Sequence, residues 1–341
     1  MKNQIIHLPF LLTLVTGLSL ITSCTSGDDE FIDPDNPSAF GIRHDLDLSM
    51  YERIATNESP YDTEDYPDFS PVFMFSYSLD GSSNEEFVAT GTLIKSNWVL
   101  TAGHNFFVAD EQSAPSPVSG IKVLVGNDPN NPGETLDVEE LVFHPSWIED
   151  NNDFLSANDL CLVKLTSSIN DLVPATVNYE VSEPIGATTW YCGFGDYSGR
   201  PGQNPDLFSK KHSIENILDR KVEGITSSSQ SGTYLGGLLA YDFDSPTGLI
   251  NALGDDFVEE DEQLLGTGTS NATATDFEGA TVEGDSGGPI FIKIDGVWKV
   301  CGVLSGGASE PIRNHQDSDY GDISVFIRTS TAADWIKSVI E

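Results

Sequence analysis

The chain has 341 residues, with 16 Lys and Arg against 54 Asp and Glu, a formal net charge of −38. Apolar residues make up 38% and charged residues 21%, which is enough apolar matter for a packed core and excludes a disordered chain. The acidity excludes nucleic acid and anionic membrane surfaces as partners, because both are held through a basic footprint.

In chain order, Lys2 and a broken apolar run from Ile5 to Ile21 read as a signal-peptide core, too short and interrupted to span a bilayer. The run ends in Ile21-Thr22-Ser23-Cys24, which resembles a bacterial lipoprotein lipobox. That resemblance implies removal of residues 1–23, diacylation of the Cys24 thiol and a lipid anchor in place of a spanning helix. The expected location is therefore the cell envelope, at the outer membrane or the cell surface. A plain secretory signal with a chance Cys also exports the protein. Residues 24–53 are acidic and turn-rich at their start. They are expected to form a tether and a candidate propeptide ahead of a body spanning 54–341.

Within the body, the runs Pro71–Leu79, Phe87–Ile94, Trp98–Thr101, Ile121–Val125, Leu136–His144 and Leu160–Leu165 are short, β-rich and bounded by turn residues. With 31 Gly and 18 Pro, the pattern predicts an all-β sandwich or barrel. Helices are expected at Ser213–Val222 and at the C-terminus, where Trp335, Ile336, Val339 and Ile340 share one face. The acidic cluster Asp255, Asp256, Glu259, Glu260, Asp261 and Glu262 reads as a solvated loop, with a structural calcium site as its alternative. No other metal or cofactor is expected. Cys161, Cys192 and Cys301 are an odd set in the body. They allow one bridge, Cys192–Cys301, or three buried thiols.

The chemistry lies in Glu283-Gly284-Asp285-Ser286-Gly287-Gly288-Pro289. Glycines around a Ser let the backbone turn sharply, expose the hydroxyl, and aim the Gly284 and Ser286 amides at one point, as a developing oxyanion requires. A lone Ser needs a base, and the base needs a carboxylate to hold it. His104 closes the apolar strand Trp98-Val99-Leu100-Thr101 through Ala102-Gly103, and Asp159 opens the strand Leu160–Leu165. Of the other His, His7 is in the signal, His44 in the leader, His212 in a charged stretch, His315 in a polar loop and His144 before Pro145.

GTLIKSNWVLTAGH, NDLCLVKL and EGDSGGP, in this order, resemble the three signatures of chymotrypsin-like (trypsin-fold) serine proteases. Val142-Phe143-His144-Pro145, Gly193-Phe194-Gly195, Leu304-Ser305-Gly306-Gly307 and the Asp334-Trp335-Ile336 ending extend the likeness from about Pro71 to Ile340. The resemblance implies two Greek-key six-stranded β-barrels, about 70–180 and 185–330, and a C-terminal helix over about 331–340. It implies a monomeric endopeptidase acting on polypeptides. Ser286 would be its nucleophile, His104 its base, Asp159 the orienting acid, and Gly284 and Ser286 its oxyanion donors. Ser305 would support Asp159, and Ser305, Gly306 and Gly307 would pair with substrate backbone.

The same likeness places the specificity-pocket floor at Ala280, with Thr281 beside it and Gly307 and Ser324 as walls. The floor carries no acid, so an apolar P1 residue of small to medium size is expected, since a buried Lys or Arg would lack a partner. Asp276, Glu278 and Asp322 are the acids that would overturn this. Activation is expected by cleavage between Arg53 and Ile54, with the new amine pairing Asp285 and the enzyme released from its tether. The family usually has a Cys after the His and another before the Ser, where this chain has Asn105 and Val282. A silent binding scaffold and a non-proteolytic acyl hydrolase are the competing readings.

Overall fold

The computed structural model describes residues 39–78, 87–107, 118–149, 157–198, 204, 208–222, 226–229, 232–254, 265–266, 268, 270–308 and 318–341. The signal run, Cys24, the 255–262 acidic cluster and His315 lie outside these residues.

A helix, α1 (Leu48–Ala55), comes first, capped by Asp47, whose side chain accepts from Ser49 N at 2.9 Å. Six strands follow: β1 (Val72–Tyr77), β2 (Phe87–Lys95), β3 (Trp98–Thr101), β4 (Lys122–Val125), β5 (Glu134–Phe143) and β6 (Cys161–Leu165). They close in the order β1-β2-β3-β6-β5-β4, all pairs antiparallel, so no edge is left open. β5 shows why the sequence pattern works: Leu136 and Val138 point inward while Asp137 and Glu139 are exposed. The inside is aromatic and β-branched, with Phe73, Phe75, Val99, Ile121, Val123 and Val163 buried together. A short helix, α2 (Pro145–Glu149), caps the exit of β5.

The second half contains β7 (Thr188–Gly193), β8 (His212–Ile217), β9 (Arg220–Lys221), the separate hairpin β10 (Thr226–Ser229) and β11 (Gly232–Leu235), and β12 (Leu238–Asp242). β13 (Pro289–Ile294), β14 (Val297–Ala308) and β15 (Ile323–Arg328) complete it, followed by α3 (Ala333–Ile340). Seven of these strands form one sheet in the order β8-β7-β13-β14-β15-β12-β9, which curls into a half-barrel among the described residues. The fold is the expected all-β pair of barrels, one closed and one open, with a C-terminal helix. Trp335 and Ile336 of α3 share a buried cluster with Leu100, Ala102, Leu160 and Leu162 of the first barrel and Ile327 of the second. That cluster fixes the two halves against each other.

One expectation is corrected and one open alternative is decided. Ser213–Val222 is not a helix; it forms two strands, and its buried Ser213 and Asn216 are satisfied by neighbouring strands. Ser213 Oγ donates to Tyr191 O at 2.7 Å, and Asn216 Nδ2 to Asp242 O at 2.7 Å. The stretch read as a tether, 25–37, lies outside the described residues; after it, Ile42, Leu48 and Tyr51 are buried on the second barrel. Cys192–Cys301 is not a bridge: Cys161, Cys192 and Cys301 are buried free thiols, and burial pushes Cys192 up to about 12.

Candidate active site

β3 ends at Thr101, and Ala102-Gly103 turn the chain so that His104 faces the start of β6. A Cβ on Gly103 would sit 2.8 Å from the Trp147 indole of α2, so only glycine permits this approach. His104 N donates to Asp159 Oδ1 at 2.8 Å, and His104 Nδ1 lies 2.6 Å from Asp159 Oδ2. Ser305 Oγ, from β14, donates to that same Oδ2 at 2.6 Å. Asp159 is fully buried, and these three donors hold it against both barrels. With Nδ1 carrying the proton toward the carboxylate, Nε2 is left as the acceptor face of the ring.

Ser286 sits on the loop entering β13. Its carbonyl accepts from Thr90 N at 2.9 Å and Asn105 Nδ2 at 3.2 Å. Asn105 Nδ2 also donates to Thr101 Oγ1 at 3.0 Å. Asn105 thus ties the His104 loop to the Ser286 loop with hydrogen bonds. Gly287 has φ +86°, and a Cβ there would overlap Thr101 Oγ1 and Thr90 O, so the motif's glycine is required by contact as well as by backbone angle.

Asp285 is fully buried behind the Ser. Its carboxylate accepts from Gly195 N at 2.7 Å and Val282 N at 2.9 Å, and His212 Nε2 lies 3.3 Å from Oδ1. A Cβ on Gly193 would overlap Asp285 Oδ1, and one on Gly195 would crowd Oδ2. Both glycines of Gly193-Phe194-Gly195 therefore make room for this carboxylate. Arg53 and Ile54 lie inside α1, Ile54 is fully buried with Phe69, Met74 and Trp190, and Asp285 already has its donors.

Of the expected pocket residues, Thr281 and Ser324 touch, their hydroxyls 3.0 Å apart. Gly307 pairs with Ser324 across β14 and β15, and Gly306 with Val325. Ala280 is buried against Phe243, Tyr320 and Ala39. The three acids in question have other partners or surroundings. Asp322 Oδ2 accepts from Ser318 N, Asp276 is exposed, and Glu278 Oε2 accepts from Thr275 N and Oγ1, each at 2.6 Å.

Glu278 belongs to a buried acidic group with Asp219, Asp242 and Asp244. Asp242 accepts from Leu253 N at 2.8 Å and Ser270 Oγ at 3.2 Å. Asp244 Oδ1 and Glu278 Oε1 have no hydrogen-bond partner among the described residues. Burial pushes Glu278 up to about 8, Asp219 to about 9 and Asp244 to about 10, and it raises Asp242 as well. The remaining described His are occupied elsewhere. His44 Nδ1 is 2.8 Å from Tyr320 Oη, while His144 packs edge-on to Trp335 and is lowered by burial to about 4.

Sequence reasoning missed His212 and the leader contacts. The signal for the leader was present: Leu48, Tyr51, Ile54 and Ala55 recur at helical spacing behind Asp47. His212 was masked by Lys210 and Lys211 beside it.

The two barrels, with His104 and Asp159 on one and Ser286 and Ser305 on the other, define a trypsin-like architecture. A family model described as Trypsin matches residues 67–223, which include His104 and Asp159. The chain is also 27% identical over 252 residues to chymotrypsin-like elastase family member 1 of Bos taurus, covering 73% of this chain and 77% of that protein. The chain is thus similar to chymotrypsin/trypsin-like serine proteases.

Proposed function

We propose that the protein is a serine endopeptidase working through Ser286, His104 and Asp159. The observation that carries this reading is the His104 Nδ1 to Asp159 Oδ2 contact of 2.6 Å, reinforced by Ser305. Ser286 Oγ attacks the scissile carbonyl as His104 Nε2 takes its proton. The Gly284 and Ser286 amides stabilise the oxyanion, and the φ of +92° at Gly284 suits a loop turned for that purpose. His104 then gives the proton to the leaving amine, and water hydrolyses the acyl-enzyme by the same steps in reverse. Asp159 keeps the imidazole in one tautomer and balances the imidazolium.

Substrate backbone adds to the Ser305–Gly307 edge of β14 as an extra strand. A P1 side chain of small to medium size and apolar character fits the floor at Ala280 and the hydroxyl walls of Thr281 and Ser324. Among the described residues, Asp276 is exposed and Glu278 and Asp322 already accept hydrogen bonds, so a buried Lys or Arg would lack a partner there. The enzyme is exported and held at the envelope by acyl chains on Cys24. Cys24→Ala should release it to the soluble fraction, and unchanged membrane partition would refute the anchor.

The deciding experiment is labelling by a fluorophosphonate beside Ser286→Ala, with peptide-amide and ester turnover in parallel. Labelling of wild type alone, with amide cleavage, supports the reading. Ester cleavage without amide cleavage makes the protein an acyl hydrolase. Folded protein that never labels is a silent scaffold.

A further inference from the structure

Ala280, the expected pocket floor, and the stretch that leads to the expected wall residue Ser324 lie on two separate loops, 275–282 and 318–322. Once such loops are buried, their backbone N–H and C=O groups need partners. Part of that need is met by the segment ahead of α1. Ala280 N donates to Gly41 O at 3.0 Å, and Gly41 N donates to Ser318 O at 2.7 Å. One residue of the leader therefore stands between the two loops and bonds to both. On the floor side, Ile42 forms an antiparallel bridge with Gly279, Arg43 Nη1 donates to Thr275 O at 2.8 Å, and Tyr51 Oη to Glu278 O at 3.0 Å. On the wall side, Ala39 N donates to Asp319 Oδ1 at 2.7 Å. His44 N donates to Tyr320 Oη at 3.0 Å, and that hydroxyl lies 2.8 Å from His44 Nδ1.

The segment is packed as closely as it is bonded. Gly41 has φ +70°, and a Cβ there would come within 2.4 Å of Val282 Cγ1 and 2.8 Å of the Tyr197 ring. A Cβ on Gly279 would lie 2.6 Å from Gly41 O. Ala39 is buried with Ala280, Phe243 and Tyr320, and Ile42 is fully buried. Ser318, whose carbonyl takes the Gly41 bond, holds φ +70°, which a non-glycine residue keeps only when its surroundings impose it. Without Gly41, the floor would keep Thr281 on Ser324, and the wall would keep Phe243 on Gly321 and Asp322. The bridge that spaces Ala280 from Ser318 would be gone, and no disulfide among the described residues replaces it.

We propose that residues 39–44 form a strap that sets the P1 pocket, with Gly41 as the positioning residue between its floor loop and its wall loop. The proposal rests on the serine protease reading above and adds a determinant of specificity to it. Gly41 reaches no substrate and acts only through Ala280 and Ser318.

The test uses the full chain and the variants Gly41→Ala, Tyr320→Phe and Arg43→Gln, all matched by intact mass for the state of the Arg53-Ile54 bond. Two readouts separate the pocket from the chemistry. One is cleavage of peptide amides that differ only at P1; the other is labelling by a small alkyl fluorophosphonate that presents no P1 side chain. In Gly41→Ala, KM for the preferred P1 residue should rise about 10-fold with kcat nearly unchanged. The spread of kcat/KM across P1 residues should narrow by a similar factor, while the labelling rate stays within about 2-fold of wild type. Tyr320→Phe and Arg43→Gln each remove one outer bond of the strap and should move KM and selectivity by about 2- to 3-fold. Unchanged KM and selectivity in Gly41→Ala overturns the proposal. So does labelling that falls in step with amide cleavage, the mark of a general loosening. Should Gly41→Ala fail to fold, the other two variants decide: a shift in either supports the strap, and wild-type values in both overturn it. Folded wild type that neither labels nor cleaves amides removes the protease reading itself, and the strap with it.

Discussion

Two buried groups of carboxylates lie within the same molecule and behave differently. Asp159 and Asp285 are each fully buried, yet each is met by donors: His104 and Ser305 for one, the Gly195 and Val282 amides for the other. Asp219, Asp242, Asp244 and Glu278 are buried to a similar degree, but two of their oxygens find no partner among the described residues, and all four are pushed upward. Burial alone therefore does not decide what an acid does. The oxygens of the first pair are met by donors, whereas burial raises all four acids of the second group.

The largest effect should come from removing the charge on the well-supplied side. Asp159→Asn should lower kcat by about 10,000-fold, because the amide favours the wrong imidazole tautomer. Stability should change little, and a loss of activity no larger than that of a distant surface variant would break the comparison. A smaller effect should follow from removing one donor. Ser305→Ala leaves Asp159 with His104 alone and should cost about 10-fold in kcat/KM, with the fluorophosphonate labelling rate falling in step.

The other group is read by pH. Glu278 rises from its ordinary value of 4.5 to about 8, and its three neighbours move the same way. Between those values the folded chain keeps protons that the unfolded chain has released, so unfolding releases protons and stability falls as pH rises. The contribution is complete below about pH 4 and is lost as pH climbs through 8. Tm should therefore decline from pH 5 to pH 9. The smallest effect expected is that Asp244→Asn flattens this decline, since an amide has no proton to lose. A Tm that rises across the interval, or a slope that Asp244→Asn leaves untouched, would show that these acids are not proton-bearing.

Much of the site was legible because its parts follow local rules. His104 ends an apolar strand, Asp159 begins one, and Ser286 sits among glycines, so each announces a turn at the edge of a barrel. The first barrel was readable for the same reason: Leu136 and Val138 alternate with Asp137 and Glu139 along β5. The strand β8 was not, because both its faces are covered. His212, Ser213 and Asn216 are buried polar residues whose partners are 20 or more positions away, and no local period records them. The leader was overlooked because the acidic stretch before it set the expectation for the helix that follows.

Asn105 has a consequence for the conditions in which the molecule can operate. Its amide joins the loops of His104 and Ser286 with hydrogen bonds to Thr101 Oγ1 and Ser286 O, and the three cysteines of the body are buried thiols. No sulfur–sulfur bond among the described residues holds the catalytic corner together. The redox state of the surroundings therefore has no covalent hold on it, and reducing and oxidising media should leave the same geometry in place.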